Sequence, residues 1–138
     1  MIKLIAGGKG SGKTKKLVDL VVEAVNVANG DVVVIEKEQK LTFDIPYSAR
    51  LVNASDYPVG SYEFIKGFIC GIHSGNYDIT HILIDNFLKM VDEKSPEALA
   101  EFVGWLEGFS NRENIEFVLS LSLTPEELPE QLTQFLCN

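Results

Sequence analysis

Residues 4–14 read LIAGGKGSGKT. An apolar run enters a stretch holding four glycines and leaves it through Lys13-Thr14. Residues 2–6, IKLIA, have the composition of a buried strand. From Lys13 to Ala28 the apolar positions Leu17, Leu20, Val21, Ala24 and Ala28 recur at helical spacing. Asn29-Gly30 is expected to stop that helix, with glycine taking the left-handed cap at no Cβ cost. The opening unit is therefore strand, glycine-rich turn, helix.

The same alternation continues along the chain. Residues 32–35, VVVI, are a β-branched run of the kind found in interior parallel strands. A short strand is expected over 50–53. Ser61 is placed to cap a helix whose stripe is Ile65, Phe68, Ile69 and Ile72 and which ends near Gly75. Residues 80–85, THILID, give another strand. Ser95-Pro96 is a cap followed by proline at the first helical position, and Leu99, Phe102, Val103 and Leu106 follow at core spacing. Residues 115–122, IEFVLSLS, form the last clear strand, and TPEELPEQLTQFL is expected to turn at 125–128 and then form a helix. The expectation is one α/β domain over 1–138, a three-layer α-β-α sandwich around a mostly parallel five-strand sheet. Sites in such sheets lie at the carboxyl ends of the strands, here near 7–14, 36–40, 53–57, 85–89 and 121–124.

Gly7 to Thr14 satisfies G-x-x-x-x-G-K-[ST] in full, and the required strand and helix flank it. Glycines let successive backbone N–H groups turn inward around a phosphate. The amino end of the helix adds positive partial charge. In this respect the chain resembles the P-loop NTPase superfamily, in its Walker A element. The resemblance implies binding of a nucleoside triphosphate, ATP or GTP, with Mg²⁺. The phosphate-binding set is then Gly8, Lys9, Gly10, Ser11, Gly12, Lys13, Thr14 and Lys15, with Lys13 on the outer phosphates and the Thr14 hydroxyl on the metal. A glycine-rich turn carrying surface lysines is the plainer alternative.

HILIDN resembles a Walker B strand, its Asp85 holding the metal; an Asp capping the next turn is the plain alternative. Many relatives place a glutamate directly after that aspartate. Here Asn86 follows, and an amide cannot accept the proton of an attacking water. The base is then sought at the end of the second strand, where Glu36 and Glu38 stand in VVVIEKE; Glu36 is favoured, and a solvated charge cluster is the alternative. Ser122, nearer the strand end than Ser120, is the candidate sensor of the terminal phosphate, or else a hydroxyl satisfied locally. The long Walker A to Walker B interval resembles the additional-strand division of the superfamily, its RecA/thymidine-kinase-like branch. There the last strand lies between the Walker A and Walker B strands. The Walker A strand then falls near a sheet edge, where a second subunit could pair.

The remaining residues narrow the function. Twelve basic against twenty acidic residues leave a net charge of −8, which disfavours nucleic acid as the main partner. The opening is too short for a secretory core and no run suits a bilayer, so a cytoplasmic location is expected. Cys70, in FICGI, reads as a buried inert thiol and Cys137 as the more exposed one. His73 suits a helix end, and His81 a core or surface position on its strand. Trp105, Phe102 and Phe109 read as packing. Phe43, Tyr47 and Tyr57, in the irregular segment 37–60, either stack on a base or partner or fill space. The two arginines are Arg50, in the irregular segment with this site or another subunit's as its alternatives, and Arg112, expected at the opposite end of the sheet. No arginine-rich or zinc lid is legible. A regulatory or accessory NTPase that hydrolyses slowly or conditionally, meeting a protein partner through 37–60, is therefore expected ahead of a small-molecule kinase.

Overall fold

The computed structural model describes residues 1–138. Five strands, β1 (Ile2–Ala6), β2 (Asp31–Glu36), β3 (Arg50–Asn53), β4 (Ile79–Ile84) and β5 (Glu116–Leu121), form one sheet. Every pairing is parallel, in the order β1-β5-β4-β2-β3. Helices α1 (Lys13–Val27), α2 (Tyr62–Ser74) and α3 (Pro96–Glu113) supply three of the four crossovers, and the irregular stretch 37–49 carries the chain from β2 to β3. Parallel strands need such crossovers, and the helices bury both faces of the sheet.

The strand residues alternate between two cores. Ile5, Val32, Val34, Leu83 and Val118 face α1 through Leu17, Val21 and Ala24. Leu4, Val33, Ile35, Ile82, Ile84, Phe117 and Leu119 face α2 and α3 through Ile65, Ile69, Phe102, Val103 and Leu106. The layers are thus helix, sheet and helix pair, as the period of the strands implied. No helix is long and apolar enough to cross a membrane.

The caps read from sequence are present. Ser61 Oγ accepts from Phe64 N at 3.0 Å, and Ser95 Oγ accepts from Ala98 N at 3.1 Å with Pro96 in the first turn. The last strand does lie between β1 and β4. Trp105 stacks against Phe102 and packs on Phe109. His73 sits in the last turn of α2, 3.6 Å from Glu113, and His81 sits on β4, 3.4 Å from Glu116.

Four expectations need correction. Helix α1 stops with Ala28 as an extended cap rather than with Gly30 in the left-handed region. Gly30 matters for a different reason: a Cβ there would lie 2.1 Å from the Asp78 carbonyl oxygen, where the chain passes close to the start of β4. The C-terminal segment forms two 3₁₀ stretches, Pro125–Glu127 and Glu130–Phe135, instead of an α-helix. Two prolines interrupt it, and Leu128 and Leu132 anchor it to the core at short intervals. Edge strand β1 is not an open template. Leu136 bridges Leu4, Cys137 N donates to Leu4 O at 2.9 Å, and the Asn138 side chain donates to Ala6 O at 2.5 Å and accepts from Ala6 N at 3.0 Å. The open edge belongs to β3.

The fourth correction concerns the thiols. Cys70 is exposed and Cys137 is the half-buried one. The stripe of α2 that faces the core is Ile65 and Ile69, so Cys70 points outward one residue past it. Burial pushes the Cys137 thiol above its ordinary range, with Lys16 and Lys3 opposing. Cys70 should therefore react rapidly with a chromogenic thiol reagent near pH 8 and Cys137 slowly, and Cys70→Ser should remove the fast phase alone. Equal rates for both thiols would contradict this placement.

Candidate functional site

The carboxyl ends of β1, β5, β4 and β2 lie side by side, because all strands run the same way. Beyond β1 the chain makes its glycine turn. Gly10 and Gly12 have φ values of 79° and 84°, a region that side chains with a Cβ rarely enter. Ser11 N donates to Gly8 O at 3.2 Å, closing the turn. The amides of 8–10 and 12–15 donate to no group of the protein. They gather around the first turn of α1, where the helix dipole adds to them. Lys13 is half-buried and in no ion pair. Lys15 directs its ammonium away from the turn, 3.5 Å from Asp19, so its contribution there is the backbone amide. Lys9 and Ser11 are exposed. Beside the turn is a cavity of about 210 Å³ lined by Ser11, Gly12, Lys13, Lys16 and Asn138.

Thr14 and Asp85 meet across the edge. Thr14 Oγ1 lies 3.3 Å from both carboxylate oxygens of Asp85. The aspartate follows β4 directly and is only 5% exposed. Ser120 Oγ donates to Asp85 Oδ1 at 2.7 Å, and Asn86 Nδ2 donates to Asp85 Oδ2 at 3.3 Å. No lysine or arginine lies within ion-pair distance of this carboxylate. A buried carboxylate normally has a cation as partner. Asp85 instead has hydroxyls and an amide, and its charge faces the glycine turn.

Ser120 is the residue that sequence reasoning passed over in favour of Ser122. It is fully buried, and its hydroxyl also accepts from Asn86 N at 2.7 Å. That second bond holds Asn86 at φ 49°, a left-handed conformation that asparagine tolerates better than most residues. Ser122 lies beyond the end of β5, exposed, with Asn86 Oδ1 at 3.5 Å. The signal for Ser120 was register: Leu119 pairs with Ile84, so the next residue on each strand is Ser120 and Asp85.

Glu36 ends β2 beside Asp85 and is 3% exposed. Both its oxygens are engaged: Oε1 accepts from Lys40 N at 2.9 Å and Oε2 from Leu41 N at 3.2 Å. It curls the loop after β2 back over the strand ends. Each oxygen keeps a second lone pair, so the carboxylate can also accept from a water. Glu38 bridges two lysines, Lys40 at 2.7 Å and Lys89 at 2.5 Å, and these hold its carboxyl at about 2, well below the ordinary range.

Neither arginine reaches this edge. Arg50 opens β3 and pairs in register with Val33, three residues before Glu36, which at about 3.3 Å per residue puts it roughly 10 Å towards the amino end. Arg112 lies in the last turn of α3, over the Phe109 ring, also at the amino end. Phe43 and Tyr47 are fully exposed, whereas Tyr57 is half exposed and packs on the Phe68 ring at 5.3 Å. Two larger cavities, each near 700 Å³, run along β3 and α2 and share Arg50, Val52, Gly71 and Ile72. They are wide and shallow and hold neither Asp85 nor the turn.

Ser120→Ala should lower stability by about 1–3 kcal/mol, because the part-buried Asn86 amide loses its acceptor and Asp85 its shortest donor. Urea unfolding followed by circular dichroism measures this; an unchanged midpoint would mean that another group satisfies the amide. No protein-family model matches this chain, and no curated protein matches it.

Proposed function

We propose that this chain is a P-loop NTPase of the additional-strand, RecA/thymidine-kinase-like branch. In this reading it binds a Mg²⁺–nucleoside triphosphate, ATP or GTP, and hydrolyses it slowly or under the control of a partner. The observation that carries the reading is the pairing of Thr14 with Asp85. A nest of donor amides faces a buried carboxylate that no lysine or arginine neutralises, and the hydroxyl at the helix start lies between them. Such a place favours an anion on one side and a cation on the other.

The residues fit Mg²⁺. This ion takes six oxygens in octahedral array and keeps several waters, so one hydroxyl and one carboxylate are a sufficient protein share when phosphate oxygens complete the set. Thr14 and Asp85 would hold it, and bound Mg²⁺ would neutralise charge on the phosphates. The amides of 8–15 and Lys13 would hold the phosphate chain, and the cavity beside Lys16 and Asn138 offers room for the nucleoside. Glu36 is the group at this edge best placed to accept a proton from water. Its two amide contacts take up one lone pair on each oxygen and leave fewer directions for a water, and that suits a slow or conditional reaction.

A kinase reading draws little from the site. Phosphoryl transfer to an acceptor molecule calls for added positive charge and a closing lid, and neither arginine lies at this edge. A regulatory or accessory role is the better fit, with the segment 37–60 as the part that meets a partner.

Titration calorimetry with ATP, GTP and their diphosphates, with and without Mg²⁺, tests the reading. Lys13→Ala should weaken triphosphate binding by about 10–100-fold, since a charge-assisted contact to phosphate is lost. Affinity unchanged in that variant would remove Lys13 from the site, and a wild type that binds none of the nucleotides would remove the function.

A further inference from the structure

The loop after β2 carries a lysine that the site described above does not use. Lys40 N is held by Glu36 Oε1 and by Glu38 O at 2.8 Å, which fixes its backbone over the strand ends. Leu41, the next residue, is 2% exposed and packs in the α1 core, so the position of Lys40 is anchored on both sides. Its ammonium lies on Glu38 Oε2, but Asp85 and Glu36 also attract its charge. The other basic groups of this loop are committed elsewhere. Lys37 Nζ donates to Lys89 O at 3.1 Å, and Lys89 Nζ takes the remaining oxygen of Glu38. Lys89 belongs to the 3₁₀ turn Phe87–Met90 that follows Asp85-Asn86. Glu38 thus ties the loop after β2 to the loop after β4 with a bridge of two lysines.

We propose that Lys40 recognises the terminal phosphate of a bound nucleoside triphosphate, leaving Glu38 for a γ-phosphate oxygen. This rests on the proposed nucleotide site and adds to it the group that distinguishes triphosphate from diphosphate. The exchange is between two anions. The Lys40 side chain is 68% exposed and that of Glu38 is 38% exposed, so the pair being broken is one that solvent screens. A γ-phosphate placed between the glycine turn and Asp85 offers more negative charge than one carboxylate. Glu38 keeps Lys89 after the exchange and is not left as an isolated charge. A diphosphate ends one phosphate short, and the bridge then stays as it is. With neither arginine at this edge, Lys40 supplies the second positive charge that Lys13 alone does not.

The test compares ATP with ADP, or GTP with GDP if guanine nucleotides bind more tightly, in the presence of Mg²⁺. Lys40→Ala should lose about 10–100-fold in triphosphate affinity while diphosphate affinity changes less than about twofold. Lys40→Arg should restore most of the difference. Glu38→Gln should tighten triphosphate binding by freeing Lys40. A ratio of triphosphate to diphosphate affinity that is unchanged in Lys40→Ala, or an equal loss of both, overturns the proposal and leaves the nucleotide site standing. Wild type that binds neither nucleotide overturns both. Circular dichroism of each variant establishes that it is folded, and the exposed Lys40 side chain makes unfolding of the alanine variant unexpected.

Discussion

Asp85 holds a buried negative charge by means of neutral partners. Three separate parts of the chain converge on it: Thr14 from the first helix, Ser120 from the last strand and Asn86 from its own turn. That convergence is possible only because β1, β5 and β4 are parallel and adjacent, so that their ends reach the same edge. Had any of these strands run the other way, its end would lie at the far side of the sheet. The direction of the strands is therefore a condition of the site as much as of the core.

The same edge is organised in two tiers. Buried contacts, Ser120 to Asp85 and Glu36 to the Lys40 and Leu41 amides, set the position of the backbone. Exposed ion pairs, Glu38 with Lys40 and Lys89, lie above them. Buried hydrogen bonds to charged groups resist exchange, whereas exposed pairs contribute little and rearrange readily. A frame that keeps its shape with charged side chains that can change partner is a suitable design for responding to an anion.

Much of the fold was legible because it depends on local pattern. The β-branched run VVVI, the capping serines Ser61 and Ser95, and the proline after Ser95 each determine an element within a few residues. The glycine turn was legible for the same reason, since Gly10 and Gly12 have backbone conformations that other residues avoid. What escaped was set by partners distant in the chain. Ser120 acquires its role from register with a strand 35 residues away, and nothing near it marks that. Gly30 looked like a helix cap but is needed for the passage beside Asp78. Cys70 lies among apolar neighbours, yet helical rotation carries it outward. The cover over β1 comes from residues more than 130 positions later, so the sequence around β1 reads as an open edge.

The placement of β1 bears on how the molecule assembles. Its sole strand neighbour is β5, and Ile2 aligns with Phe117, so this pairing closes a loop of more than one hundred residues. Closing so long a loop is entropically costly, and parallel pairing over such distances is slow. Strands β2, β3 and β4 can associate earlier, since they lie closer together in the chain. The glycine turn hangs between β1 and α1, so its two left-handed residues have their full seat only where this long-range pairing is made.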